Sequence, residues 1–191
     1  KIYNYGSKLN NIQITECSPY INFKWNDKVI KTKIIGEYNL INIIASIKVG
    51  DFFRVNAKKI INTLDNYRFK NNRSELLNTK NNQILLDAYN ANPSSMMFAI
   101  KSFIKLKSDV EKIIILGDML ELGENSIKFH EEIIEFLKKT KIKKCMLIGS
   151  IFSDISCNFL KFKTKEKLEQ ELTQNKIRQK IILIKGSRKM R

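Results

Sequence analysis

Four short apolar runs constrain this chain more than anything else in it: "QILLD" at 83–87, "KIIIL" at 112–116, "KCMLI" at 144–148 and "IILIK" at 181–185. Each is too short for a buried helix and rich in β-branched or branched residues, so each reads as a strand covered on both faces. The segments 93–106, 126–140 and 165–175 have helical character, and a shorter strand is predicted near 159–162. Strands of this kind alternating with helices specify an α/β fold with a mostly parallel sheet layered between helices. Right-handed crossovers then bring the C-terminal ends of the strands to one edge, where open α/β sheets take their ligands.

The part before this alternation has a different character. Residues 1 to about 35 read as short strands, with "QITECSPYINFKW" and "KVIKTKII" separated by Asn/Asp turn residues. From Gly36 the period changes: Leu40, Ile43, Ile44 and Ile47 fall on one face of a helix expected to end near Gly50. A second helix is predicted over 55–64, with Ile60, Ile61 and Leu64 inward. The polar, aperiodic stretch "DNYRFKNNRSE" (65–75) is the predicted domain boundary. With 191 residues, the chain is long enough for one large domain or parts of two.

Composition narrows the function classes. The net charge of +16 invites a nucleic-acid reading. However, the lysines spread along nearly every segment, only six of the basic residues are arginine, and aromatic interleaving is missing. A diffuse solvated lysine surface is the expectation, with no nucleic acid as partner. No apolar run approaches the roughly 20 residues that span a bilayer, and no signal-peptide pattern is present, so a cytoplasmic protein without a membrane partner is expected. The three cysteines, Cys17, Cys145 and Cys157, are dispersed without metal-ligand spacing and read as reduced thiols. The chain opens on Lys1 and stops just after its last apolar strand, so both ends are expected to be cut.

Polar residues gather after the strands. Asp87-Ala-Tyr-Asn90-Ala-Asn92-Pro93 follows the first, Gly117-Asp118 through Gly123 the second, and Lys185-Gly186-Ser187-Arg188 closes the last. Asn92 with Pro93 suits a helix N-cap and first helical position, or equally a place in the site. Asp87, at a strand end, offers paired hydrogen bonds to a ribose diol or serves as a turn residue. Asp118 beside Gly117 is either a partner for an ammonium group or a plain strand-to-helix turn. His130, the only histidine, is more often packed than catalytic in such a setting, and no second ligand argues for a metal there. Lys185, Ser187 and Arg188 around a glycine suit a carboxylate or phosphate. No G-x-x-x-x-G-K-[ST] or G-x-G-x-x-G occurs in the sequence.

Taken in order, these stretches resemble the Mur ligase family. The residues that carry the resemblance are Gly36-Glu-Tyr-Asn39, Asn71-Asn-Arg73-Ser74, the "YNANP" element ending at Pro93, "GDMLELGE" over 117–124, His130 shortly after, and "KGSR" over 185–188. "YNANP" and "GDMLELGE" resemble the branch that adds D-alanyl-D-alanine to UDP-N-acetylmuramoyl-tripeptide. The family has an N-terminal UDP-substrate domain, a central ATPase domain and a Rossmann-like C-terminal domain. By that resemblance residues 1–72 are the end of the central domain, and 73–191 are the C-terminal domain without its last helix. The chain is then a fragment whose P-loop, magnesium ligands and carbamylated lysine lie upstream.

The activity implied is peptidoglycan amide formation. ATP with Mg2+, held mainly by the upstream region, phosphorylates the tripeptide carboxylate, and the D-alanyl-D-alanine amine attacks the acyl phosphate. The C-terminal domain closes over the central one and excludes water. Residue by residue, the resemblance puts Asn39 near the adenine, Arg73 at the phosphates, Asp87 at the ribose, and Asn90 and Asn92 in the same loop. It puts Asp118, His130, Lys185, Ser187 and Arg188 on the dipeptide side, with no metal ligand in this chain. Tyr38 stands where the family often has histidine. The fragment is expected to be inactive alone and the enzyme a monomer. The alternatives are a related ligase, such as a folylpolyglutamate synthase or the diaminopimelate- or lysine-adding Mur enzyme, and a basic α/β nucleic-acid-binding module.

Overall fold

The computed structural model describes residues 12–69 and 72–190. The strands expected before Ile12, and Asn71 of the boundary motif, lie outside the described residues. The chain divides into two compact units, Lys1–Phe69 and Lys70–Arg191.

In the first unit, β1 (Ile12–Glu16), β2 (Tyr20–Trp25) and β3 (Lys28–Ile35) form an antiparallel sheet in that order. Asn26 and Asp27, with φ of 47° and 60°, make the tight turn between β2 and β3. Positive φ at both central residues suits the right-handed twist of the flanking strands. Period-two alternation puts Ile21, Phe23 and Trp25 of β2, and Ile30 and Ile34 of β3, into one core. Two helices, α1 (Leu40–Phe52) and α2 (Ala57–Asn66), bury Ile43, Ile47, Ile60 and Leu64 against those side chains. The helix expected from Gly36 enters instead through a 3-10 turn, Glu37–Asn39, and α1 runs two residues past Gly50.

The second unit is built on a six-stranded sheet of order β4-β5-β9-β6-β7-β8. Its strands are β4 (Glu75–Asn78), β5 (Asn82–Asp87), β6 (Lys112–Gly117), β7 (Lys144–Ile148), β8 (Leu160–Phe162) and β9 (Lys180–Lys185). Only β4 runs antiparallel to its neighbour; the other pairings are parallel. The connecting helices are α3 (Pro93–Lys105), α4 (Ser126–Lys138), the short α5 (Ser150–Asp154) and α6 (Lys165–Gln174). The mostly parallel α/β sheet expected from the sequence is present.

Alternation sorts the strands' side chains to two faces. Ile113, Ile115, Met146 and Ile182 meet Leu168 of α6 on one. Ile114, Leu116, Leu147 and Leu183, also buried, point to the other face, which α3 and α4 cover with Ile100, Phe103, Ile133 and Leu137. The chain steps outward through β6, β7 and β8, then returns under α6 to insert β9 between β5 and β6. That reversal sets the site, because β9 aligns Lys185 with Asp87 on one side and with Leu116 on the other. The β4–β5 hairpin and α5 were not expected. The sequence around β4 is largely polar, and α5 is a single turn and a half.

Candidate functional site

The C-terminal ends of β5, β6 and β9 carry the three loops singled out in the sequence, and hydrogen bonds join those loops. Ser187 N–H donates to the Asp118 carbonyl at 3.3 Å, and Ser187 Oγ accepts from Leu120 N–H at 2.8 Å. Gly117 and Gly186 allow the close approach: a Cβ on Gly186 would lie 3.2 Å from the Gly117 Cα, and one on Gly117 would lie 3.4 Å from the Gly186 Cα.

Asp87 and Lys185 form the ion pair at the centre of this edge. Lys185 Nζ donates to Asp87 Oδ2 at 2.7 Å and to the Asn90 carbonyl at 3.1 Å. The two side chains are 15% and 3% exposed, so the pair is largely out of water and each charge depends on the other. Asp87 Oδ1 accepts from Ser74 N–H at 3.1 Å. Ser74 itself is held at a φ of 45°, a left-handed conformation few serines adopt. A carboxylate has about four lone-pair sites, so Asp87 keeps acceptor capacity beyond these bonds. Residues placed by resemblance on the nucleotide side and the dipeptide side are thus one bonded group.

Asp118 is 1% exposed and turned inward. Its Oδ2 accepts from Ile151 N–H and its Oδ1 from Phe152 N–H, both at 3.0 Å, so it ties the end of β6 to the start of α5. His130 is fully buried beneath the same loop. Its Nε2 accepts from Met119 N–H at 2.9 Å, which leaves Nδ1 as the protonated nitrogen, donating to the Ser126 carbonyl at 2.7 Å. Burial lowers the His130 pKa, against the opposing pull of the Ser126 carbonyl and Asp118. With Nε2 already an acceptor, its 3.8 Å approach to Asp118 Oδ1 is a contact of a neutral ring and not an ion pair.

Asn92 caps α3: Oδ1 accepts from Ser95 N–H at 2.8 Å while Ser95 Oγ accepts from Asn92 N–H at 3.1 Å. The cap reading of Asn92 is therefore realised in full. Asn90 is exposed, with Oδ1 turned to Ala91 N–H. Arg188 is exposed at the mouth of a cleft of about 200 Å³ lined by Tyr89, Asn90, Leu120, Glu121, Ser187, Arg188 and Lys189. Arg73 stacks on Tyr89 beside it. In the first unit, Asn39 is buried and borders an apolar cleft with Asn42, Thr63 and Tyr67. Its Nδ2 donates to the Ile35 carbonyl at 2.7 Å and its Oδ1 accepts from Asn42 at 3.0 Å.

The sequence alone assigns no role to Ser74, Tyr89 or Gly149. Ser74 and Tyr89 sit inside quoted motifs, whereas Gly149 has only its place at a strand end as a signal. No group of three or more His, Cys, Asp or Glu side chains able to hold a metal occurs among the described residues. No described helix is long and apolar enough to cross a membrane.

A reversal of strand order, bonded loops at the strand ends and a cleft beside them are the arrangement in which open α/β sheets take ligands. The family model described as "Mur ligase, glutamate ligase domain" matches residues 72–188, and the chain belongs to this family. The UDP-N-acetylmuramoyl-tripeptide--D-alanyl-D-alanine ligase of Bacillus subtilis is 29% identical over 100% of this chain and 45% of its own length. The ligase of the same name from Buchnera aphidicola of Acyrthosiphon pisum is 34% identical over 83% of this chain and 36% of its own. The chain thus spans less than half the length of these relatives. Among solved structures, MurF of Acinetobacter baumannii superposes with a TM-score of 0.78 at 20% identity, covering 94% of this chain and 42% of that one. MurF of Thermotoga maritima in complex with ADP gives 0.77 at 24%, covering 95% and 44%. These likenesses confirm the fold.

Proposed function

We propose that this chain is the C-terminal portion of an ATP-dependent ligase that joins D-alanyl-D-alanine to UDP-N-acetylmuramoyl-tripeptide in the cytoplasm, during peptidoglycan assembly. Residues 1–72 are the end of its central domain and 73–191 most of its C-terminal domain. The observation that carries this reading is the Asp87–Lys185 pair, which bonds the "YNANP" loop to the "KGSR" strand end beside the cleft. The names of the relatives support it.

ATP supplies the phosphoryl group that activates the tripeptide carboxylate. This chain's own residues bind and orient. Asp87 offers its remaining lone pairs to ribose hydroxyls, Arg73 its guanidinium to phosphate oxygens, and Asn90 and Asn92 shape the loop between them. Asn39 in the first unit fixes the entry to α1, since its amide is taken up by Ile35 and Asn42. Arg188, with Ser187, faces the carboxylate of the dipeptide. Lys185, Asp118 and His130 contribute by fixing the loops, since their polar atoms are taken up by partners within the chain.

The test uses Asp87→Asn in the full-length ligase, a change that keeps hydrogen-bonding capacity toward Ser74 and removes the charge. The KM for ATP should rise about tenfold with kcat affected less, the pattern of lost ground-state binding. An unchanged KM for ATP removes Asp87 from the nucleotide site.

A further inference from the structure

Tyr89 carries two guanidinium groups on one ring. The Arg73 guanidinium carbon lies 3.5 Å from the ring centroid and that of Arg188 lies 5.9 Å from it. Like charges gathered this way repel, and the nearby carboxylates are committed elsewhere, Asp87 to Lys185 and Glu121 to Lys189. Neither guanidinium has a carboxylate partner among the described residues. The negative face of the aromatic ring is what offsets the repulsion, and arginine is the cation best suited to lie flat on it.

The roots of all three side chains are fixed independently. Arg73 sits between Asn72 and Ser74, both left-handed with φ of 58° and 45°, and Ser74 N–H is bonded to Asp87. Tyr89 lies between Asp87 and Asn90, both held by Lys185. Arg188 follows Ser187, whose hydroxyl and N–H are bonded to the loop after β6. The Tyr89 hydroxyl makes no hydrogen bond among the described residues, so the ring face is its working surface. The result is a preorganised pair of planar donor forks at the cleft, suited to an anion.

We propose that Tyr89 is the positioning residue that holds Arg73 and Arg188 as a paired anion receptor, so that nucleotide phosphate and dipeptide carboxylate are gripped from one aromatic platform. The proposal rests on the ligase reading above and deepens it. It makes the two ligands' affinities depend on a residue that need touch neither.

The experiment titrates the 191-residue chain separately with inorganic pyrophosphate, standing for the nucleotide phosphates, and with D-alanyl-D-alanine. Proton–nitrogen spectra that include the arginine Nε–H signals follow both titrations. Wild type and Tyr89→Phe should show the ring-shifted Arg73 signal and bind each probe within about twofold of one another. Tyr89→Leu should lose the ring shift and bind both probes about fivefold more weakly, the scale of a cation–π contact at a partly exposed site. Binding by Tyr89→Leu equal to wild type overturns the proposal and leaves the ligase reading standing, as does weakening of one probe alone. Failure of wild type to bind either probe at millimolar concentration overturns the proposal alone, because the ligase reading places most of the ATP site upstream of this chain. Should Tyr89→Leu not fold, the wild-type spectrum decides: an Arg73 Nε–H signal without a ring shift overturns the stack.

Discussion

His130 is the residue whose environment makes the sharpest prediction. The unfolded chain protonates this ring near its ordinary value of 6.5, whereas burial lowers the pKa in the folded chain. The unfolded state therefore binds more protons as pH falls through 6.5, and stability must fall with it. The loss should reach up to about 1.4 kcal/mol per pH unit and level off below the lowered folded pKa. Urea unfolding midpoints between about pH 8 and pH 5.5 check this, and a flat profile contradicts it. The cause is specific: a proton on Nε2 removes the acceptor for Met119 N–H and unseats the loop after β6. From sequence, a lone histidine in an amphipathic helix left packing and catalysis both open. Only the backbone partner at each ring nitrogen decides, and no pattern of residue types records a carbonyl or an N–H. The Asp87–Lys185 pair was hidden for a related reason. Its members are 98 residues apart and become neighbours through the insertion of β9 beside β5.

At the scale of elements, Gly149 shows how a strand end is held to the next helix. Its φ is 120°, and a Cβ there would collide with the Asp118 carboxylate, which accepts from two backbone N–H groups of α5. Gly149→Ala should destabilise the chain by about 3 kcal/mol, combining backbone strain with displacement of Asp118. Gly123 has a φ of 59°, and a Cβ there would meet nothing within 4 Å, so Gly123→Ala should cost only about 1 kcal/mol. Chemical denaturation of the two variants tests the contrast, and equal losses contradict it. The long elements were legible because their apolar period is strong: β7 has the predicted bounds, and β5, β6 and β9 differ by one residue. The β4–β5 hairpin escaped because only Leu76 and Leu77 mark β4 amid polar residues. Helix α5 escaped because five residues cannot display a helical period.

For the molecule as a whole, the order of apolar strands and helices specifies the α/β class, and the motifs carry the resemblance to the family. What the sequence could not convey is how its polar loops divide their work. Residues of similar chemistry split into those locked inside, Lys185, Asp118 and His130, and those left facing the cleft, Arg188 and Asn90. Burial likewise pushes the pKa of Cys145 up to about 12 and makes it an inert core residue. As proposed, this chain is the nucleotide- and dipeptide-facing portion of a Mur ligase. Phosphate release by the full-length protein that contains it tests the claim most directly. Release should require UDP-N-acetylmuramoyl-tripeptide and D-alanyl-D-alanine together, and L-alanyl-L-alanine should not substitute. Release that proceeds without the dipeptide, or that responds to another amino acid in its place, would contradict the account.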